Sequence, residues 1–254
     1  MAYSEFAMKT AGVDFASQNK NTAVCIINWD RGDLGVESVC TGIDDDFVRA
    51  LAANVNHLGI DIPLGWPIAF SDAVHDYVHG KPWPNTYDHK NNKDFRYRRT
   101  DIWVKMDLKL SWPLSVSTER IAIPAMRAAS LFQSLDTPVA RDGSGVVVEV
   151  YPAAALRSWK LDWKGYKKPE DSAKREEILT AILGQLGDGF NVDQEVQSRL
   201  HENDNALDAF ISALVARAHA IRKCHSIPDV DLAVALREGW IAVPRPDTLG
   251  QLLD

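Results

Sequence analysis

The stretch Ala11-Gly12-Val13-Asp14-Phe15 sets one carboxylate inside an apolar run. Residues 9–16 have the pattern of a buried strand, where an uncompensated ionised Asp costs on the order of several kcal/mol. The small and polar residues that follow, up to Ser17, are typical of a turn whose N–H groups approach an anion. Asp14 is therefore a candidate metal ligand and Ser17 a candidate substrate-binding residue. The alternative for Asp14 is an acid that caps a turn.

Three more acidic residues stand in apolar runs farther along the chain: Gly59-Ile60-Asp61-Ile62-Pro63, Val146-Val147-Val148-Glu149-Val150 and Ala206-Leu207-Asp208-Ala209-Phe210. Several such carboxylates on elements that meet predict a site for hard divalent cations, Mg²⁺ or Mn²⁺. Each residue also has a structural alternative. Asp61 can bond the amides of the loop beyond it, and Glu149 can form a salt bridge with a helix Arg.

Asp204 and Asp208 are four residues apart on a helix predicted over residues 203–224, so they share one face. Asp204 near the helix start also suits the positive end of the helix dipole, which makes a first-turn acid its alternative role. Asp208 lies one turn inside an apolar helix, where helix formation gives no reason for an acid. Both are candidate metal ligands, with the stronger indication at Asp208.

Apolar and β-branched runs predict strands at residues 9–16, 22–29, 34–40, 57–62 and 145–151, with helices at 44–55, 67–79, 121–135, 170–187, 192–200, 203–224 and 229–238. Short connections favour antiparallel pairing of the first three strands. A helix before the fourth strand allows it to lie parallel to the first. We therefore expect one α/β domain over residues 1–254, with a mixed five-stranded sheet of three antiparallel and then two parallel strands, flanked by helices. Asp14, Asp61 and Glu149 would line one crevice at the carboxyl ends of parallel strands.

Residues 80–120 differ in composition, because aromatic and basic side chains alternate there without a clear period. This segment is predicted to be a large loop or lid beside the site. Within it, Arg99 is a candidate phosphate clamp and Asp101 a second candidate for binding substrate. The alternatives are a solvated charged surface and an aromatic cluster that packs on itself.

The chain has 254 residues, a net charge of −7 and a pI of about 5.5. This acidity disfavours tight non-specific binding to nucleic acids, which usually needs a basic surface. No apolar stretch is long enough to span a bilayer, and the first residues do not resemble a signal peptide. We expect a soluble, cytoplasmic protein without a membrane partner, and no feature of the sequence specifies an oligomeric state.

Five motifs occur in an order that resembles a domain-of-unknown-function family of predicted RNase H-like nucleases: Gly12-Val13-Asp14-Phe15-Ala16, Gly59-Ile60-Asp61-Ile62-Pro63-Leu64-Gly65-Trp66-Pro67, Arg99-Thr100-Asp101, Glu149-Val150-Tyr151-Pro152 and Asp204-Asn205-Ala206-Leu207-Asp208-Ala209. The resemblance implies an RNase H-like fold with Asp14, Asp61, Glu149 and Asp208 as metal ligands. The helix around Asp208 is also similar to the last acidic helix of Holliday-junction resolvases. Asn205 stands here where those proteins have a second acid.

The leading hypothesis for function is a metal-dependent phosphodiesterase that acts on nucleic acid or another phosphoester. Asp14 would bridge two ions roughly 4 Å apart, with Asp61 and Glu149 on one side and Asp208 on the other. One alternative is a phosphotransferase or ATPase of the actin and sugar-kinase superfamily, although the turn after Asp14 lacks a phosphate-binding glycine. The other is a non-catalytic binding module on the same fold.

Overall fold

The computed structural model describes residues 8–84 and 92–254. In chain order the elements are β1 Lys9–Asp14, β2 Ala23–Asn28, β3 Gly35–Thr41, α1 Asp45–Asn54, β4 His57–Asp61, α2 Ile68–Val78, α3 Lys93–Arg96, α4 Arg99–Met106, α5 Ala122–Gln133, β5 Val147–Val150, α6 Pro152–Ser158, α7 Ser172–Leu186, α8 Gln194–Glu202, α9 Asp204–Ala220, α10 Leu232–Glu238 and β6 Ile241–Ala242.

The strands of this part of the chain form one mixed sheet in the order β3-β2-β1-β4-β5-β6. β1 pairs antiparallel with β2, and β2 pairs antiparallel with β3. β1 and β4, β4 and β5, and β5 and β6 pair in parallel. The predicted α/β class and the mixed sheet flanked by helices are confirmed. The predicted strand number of five was wrong, because the two-residue β6 is a sixth strand, too short to show a periodic pattern in the sequence.

Helices cover both faces of the sheet, which explains why its central strands are apolar throughout. On one face, α9 packs with α7 and α8 over side chains that include Cys25, Val148 and Val150. On the other face, α1 and α5 pack over Val13, Ile60 and the other strand side chains that point to that face. Alternate residues of each strand point to opposite faces, so the face that a residue occupies follows from its position in the strand.

The segment over residues 80–120 differs from the predicted loop, since it contains α3 and α4. Trp103 and Val104 of α4 are buried in a third apolar cluster with Trp240 and Ile241 near β6. Other aromatic side chains of the segment pack on one another, with ring centroids 5.7 Å apart for Trp83 and Phe95 and 4.4 Å apart for Tyr97 and Trp112. Residues 85–91, which include Tyr87 and Lys90, lie outside the described part of the chain.

Across residues 8–84 and 92–254, no helix has the combination of length and apolar character that crossing a membrane requires.

Candidate carboxylate site

Two glycines allow α9 to lie directly on the parallel strands that carry the candidate acids. Gly12 of β1 and Gly59 of β4 are paired in register. A Cβ added to Gly12 would stand 1.9 Å from the Ala209 carbonyl oxygen, and one added to Gly59 would stand 2.2 Å from the Ser212 carbonyl oxygen. No side chain fits at either position, so the paired glycines form a notch that receives the backbone of α9.

Asp14 and Asp61 lie two residues beyond these glycines and are paired in register. By strand alternation both point to the α9 face, at the carboxyl ends of β1 and β4. Burial and the charge of Asp61 raise the pKa of Asp14 to about 8. Burial also raises the pKa of Asp61 to about 6, although the nearby charge of Lys167 acts to lower it. The two carboxyl groups therefore repel each other electrostatically and lack full compensation.

The first two turns of α9 carry two further acids, Asp204 and Asp208. Asp208 is fully buried one turn inside the helix. Asp204 is the first residue of α9, and its charge contributes to the raised pKa of Asp14. The helix cap is the neighbouring Asn203, whose Oδ1 accepts a hydrogen bond from the Ala206 amide at 3.0 Å. Asp204 is therefore a first-turn acid whose charge acts on Asp14.

Two residues that the sequence did not single out contact this acidic group from the segment before α7. The Tyr166 hydroxyl donates a hydrogen bond to Asp208 Oδ1 at 2.8 Å, and the Tyr166 ring is buried. The Lys167 ammonium forms an ion pair with Asp208 Oδ2 while its side chain stays half exposed. The charge of Lys167 also lowers the pKa of Asp14 and of Asp61. Lys167 is thus a cation among the candidate ligands.

Arg175 of α7 fixes the segment that carries Tyr166 and Lys167. Its buried guanidinium donates to the backbone carbonyls of Tyr166 and Lys168 at 2.7 Å each, and to that of His201 at 2.7 Å. The Arg175 side chain thus binds backbone carbonyls of two segments, the one before α7 and the end of α8. This contact connects the position of Tyr166 and Lys167 to that of α9, which begins just after α8.

Glu149 lies on the other face of the sheet, because it is paired with Ile60 rather than with Asp61. Its two oxygens accept hydrogen bonds from Arg98 at 2.6 and 2.8 Å, and Oε2 also accepts from the Leu64 amide at 2.9 Å. Burial raises the pKa of Glu149, whereas the Arg98 charge lowers it. The alternative for Glu149 was an ion pair with a helix Arg, and the partner observed is Arg98, the residue just before α4. The role of Glu149 as a metal ligand stays a prediction.

The remaining candidates for substrate binding are distributed around this site. Asp101 is fully buried and accepts two further hydrogen bonds from the Arg98 side chain, at 2.9 and 3.2 Å. Arg99 points elsewhere, with Nε donating to Asp231 at 2.8 Å. Ser17 is exposed in the turn after β1. Arg98, one residue before the predicted clamp, is the arginine that reaches the site.

The oxygen ligands of Asp14, Asp61, Asp204 and Asp208 suit a hard cation such as Mg²⁺ or Mn²⁺. In the described residues, no three Asp, Glu, His or Cys side chains are close enough together to hold a metal ion. The ammonium of Lys167 lies in this acidic group instead. A divalent cation fits the chemistry of the donors, and binding requires the carboxylate side chains to turn toward one another.

Fold and site define an α/β protein with a group of buried carboxyl groups at the carboxyl edge of its parallel strands. The chain belongs to the family described as "Protein of unknown function (DUF429)", whose model matches residues 12–233. Neither a curated protein nor a solved structure matches the chain.

Proposed function

We propose that this protein is a divalent-metal-dependent phosphodiesterase with an RNase H-like core. The observation that carries the proposal is the in-register pair Asp14 and Asp61, with Asp208 of α9 against the same edge. Three antiparallel strands followed by two parallel ones, in the order β3-β2-β1-β4-β5, support the RNase H-like assignment. In this view β6 is an addition at the far edge.

The proposed ligands of Mg²⁺ or Mn²⁺ are Asp14, Asp61, Asp204 and Asp208. We leave Glu149 out of this set, because Arg98 and the Leu64 amide already engage its oxygens. A bound divalent cation supplies Lewis acidity, which lowers the pKa of an attacking water and offsets charge on the leaving oxygen. Negative charge at Asp14 and Asp61 is poorly compensated in the free protein, and this favours cation binding.

The protein's own residues have separate tasks in this proposal. Tyr166 holds the Asp208 carboxylate through its hydroxyl, which fixes one candidate ligand in place. Lys167 has a flexible, half-exposed side chain and contacts the same carboxylate. With a cation held by the carboxylates, the Lys167 ammonium would be free to contact a phosphate oxygen of the substrate. Arg98 holds the Glu149 and Asp101 carboxylates in place through buried ion pairs.

The test combines metal binding with cleavage. Mn²⁺ binding is measured by electron paramagnetic resonance, and cleavage is measured on labelled single-stranded, duplex and branched DNA and RNA and on a small chromogenic phosphodiester. We expect wild type to bind Mn²⁺ and to cleave at least one substrate, whereas Asp14→Asn loses both. Asp247→Asn is the matched control, because Asp247 is exposed and its positive φ of 59° suits Asn.

Mn²⁺ binding and cleavage by wild type, with loss of both in Asp14→Asn, supports the proposal. Equal turnover by wild type and Asp14→Asn contradicts it. A melting temperature that rises with ATP but not with Mn²⁺ favours the phosphotransferase alternative instead. A melting temperature that rises with neither ATP nor Mn²⁺ favours the non-catalytic binding module.

A further inference from the structure

A cavity of about 370 Å³ opens beside Asp61, at the edge of the candidate carboxylate site. It lies between the carboxyl ends of β4 and β5, the start of α6 and the segment that contains Tyr166 and Lys167. This volume is near the lower end of the range for small-molecule sites. The cavity therefore suits one small group and is too small for a nucleic-acid duplex.

Most of the cavity wall is apolar, and two of its aromatic side chains are held in place. The Tyr151 hydroxyl donates to the Trp112 carbonyl at 3.2 Å, and the Tyr166 hydroxyl is bound to Asp208. Leu114 and Ala153 are among the aliphatic residues that complete the wall. Pre-positioned rings beside aliphatic side chains favour a flat, uncharged group that is buried on binding.

The charged part of the lining consists of two carboxylates, Asp61 and Glu149, and the cations Lys164, Lys167 and Arg98. Asp61 belongs to the candidate metal ligands, and Lys164 and Lys167 are exposed cations on the opposing segment. Arg98 also reaches the cavity, but Glu149 and Asp101 engage it. A phosphate between the bound cation and Lys167 would leave its attached group beside the apolar wall. The charge distribution thus favours a ligand with a phosphate at one end, near Lys167, and a flat ring at the other, against the apolar wall.

We propose that this cavity binds the base of a single nucleoside phosphate unit, whose phosphate lies at Asp14 and Asp61. This inference rests on the proposed function and narrows its substrate class. The unit belongs either to a small nucleotide diester such as a dinucleotide or to the unpaired end of a strand, because an enzyme that acts on a nucleotide within a duplex must first extrude it. The net charge of −7 agrees with this class, since a long nucleic acid binds best to a basic surface.

The experiment measures binding by calorimetry to the full-length protein with Mg²⁺ present. The probes are AMP, UMP, ribose 5-phosphate and inorganic phosphate. We expect at least one nucleotide to bind about tenfold or more tightly than ribose 5-phosphate, because only the nucleotides carry a flat base. Equal affinity of all four probes would overturn the proposal. A dinucleotide and a longer single strand then distinguish a small nucleotide diester from a strand end.

Two variants locate the binding to the cavity. Ala153→Phe fills it from α6, and Leu114→Ala removes an aliphatic wall residue that is 54% exposed and so contributes little to folding. Both should weaken nucleotide binding by about tenfold while ribose 5-phosphate binding stays unchanged. Ile123→Ala is the matched control, because Ile123 is 58% exposed on α5 and lies outside the cavity lining. Wild-type nucleotide affinity in both cavity variants would contradict the proposal.

Mn²⁺ titration of the same variants separates this inference from the proposed function. Normal Mn²⁺ binding with no preference for nucleotides rejects the cavity proposal alone. Absence of Mn²⁺ binding by wild type rejects the metal-dependent function, whatever the nucleotide result. Retained Mn²⁺ binding with weakened nucleotide binding in Ala153→Phe supports both.

Discussion

Asp14 and Asp61 are paired in register across two parallel strands, so their carboxyl groups lie side by side on the face that α9 covers. Like charges in this position lower the free energy of unfolding of the metal-free protein, so the pair does not serve stability. Burial, and after it the charge of Asp61, raises the pKa of Asp14, whereas burial and the charge of Glu149 raise the pKa of Asp61. Stability and metal binding should therefore respond in opposite directions to loss of a carboxylate.

The first prediction concerns Asp14→Asn in metal-free buffer. The folded-state pKa of Asp14, about 8, is above its value of 3.8 in the unfolded chain. The folded state thus binds the proton more tightly, and this contribution to stability is lost as pH rises from about 4 through about 8. We expect Asp14→Asn to melt at a higher temperature than wild type at pH 8, with a smaller difference at pH 5.

Thermal melts with a chelator present measure this difference, and Asp247→Asn again serves as the control. An Asp14→Asn variant that is less stable than wild type at pH 8 without metal would show that Asp14 is compensated in the folded protein. Added Mn²⁺ should stabilise wild type more than Asp14→Asn, because the ligand binds only the intact carboxylate group.

Lys167→Met tests whether the ammonium competes with a metal. Removal of a positive charge from the carboxylates should increase Mn²⁺ affinity by about tenfold, equivalent to roughly 1.4 kcal/mol. Lys164→Met is the matched control, since Lys164 is exposed nearby and its ammonium lies over the Trp163 ring, 4.3 Å from the centroid. Titration followed by electron paramagnetic resonance gives both affinities. Equal Mn²⁺ affinity of Lys167→Met and wild type would count against competition.

Because Glu149 is paired with Arg98 and Asp61 is not, neutralising Glu149 and neutralising Asp61 should have different effects. Glu149→Gln should lower stability and leave Mn²⁺ affinity within about twofold of wild type, whereas Asp61→Asn should lower Mn²⁺ affinity by about tenfold or more. Urea denaturation and Mn²⁺ titration of the same samples separate the two effects. Loss of Mn²⁺ binding in a folded Glu149→Gln protein would restore Glu149 to the ligand set.

Arg98→Met should be among the most damaging single substitutions. It leaves Glu149 and Asp101 buried without their cation, which typically costs about 3–5 kcal/mol of unfolding free energy. Arg49→Met is the control, because the Arg49 pair with Asp46 is exposed and worth about 1 kcal/mol or less. Urea unfolding curves measure both. A loss below about 1 kcal/mol in Arg98→Met would show that the buried carboxylates find other partners.

Gly12→Ala tests the contact between β1 and α9. Its new Cβ would overlap the backbone of α9, so we expect a loss of about 3 kcal/mol or more, or failure to fold. Gly184→Ala is the matched control, since Gly184 lies in α7 with open space around it. Ala is the better helix former there, and this control should gain about 0.5–1 kcal/mol. Wild-type stability of Gly12→Ala would mean that α9 can move away from β1.

The sequence predicted most of the elements, because their signals are local. Residues 57–62 were predicted as a strand and the structure has β4 at His57–Asp61; residues 44–55 were predicted as a helix and α1 is Asp45–Asn54. The two-residue β6 has no periodic signal. The helical part of residues 80–120 has a mixed pattern, because α4 buries Asp101 and the preceding residue, Arg98, is buried as well.

The sequence by itself also selected Asp14, Asp61, Glu149 and Asp208, because a carboxylate in an apolar run conflicts with burial. Only the tertiary structure decided which of them meet. A register that pairs Ile60 with Glu149 turns Glu149 to the face opposite Asp61, and strand register depends on contacts between distant segments. The same non-local packing brings Tyr166 and Lys167 to Asp208. Local pattern thus identifies the unusual charges, and the pairing of strands and helices determines their partners.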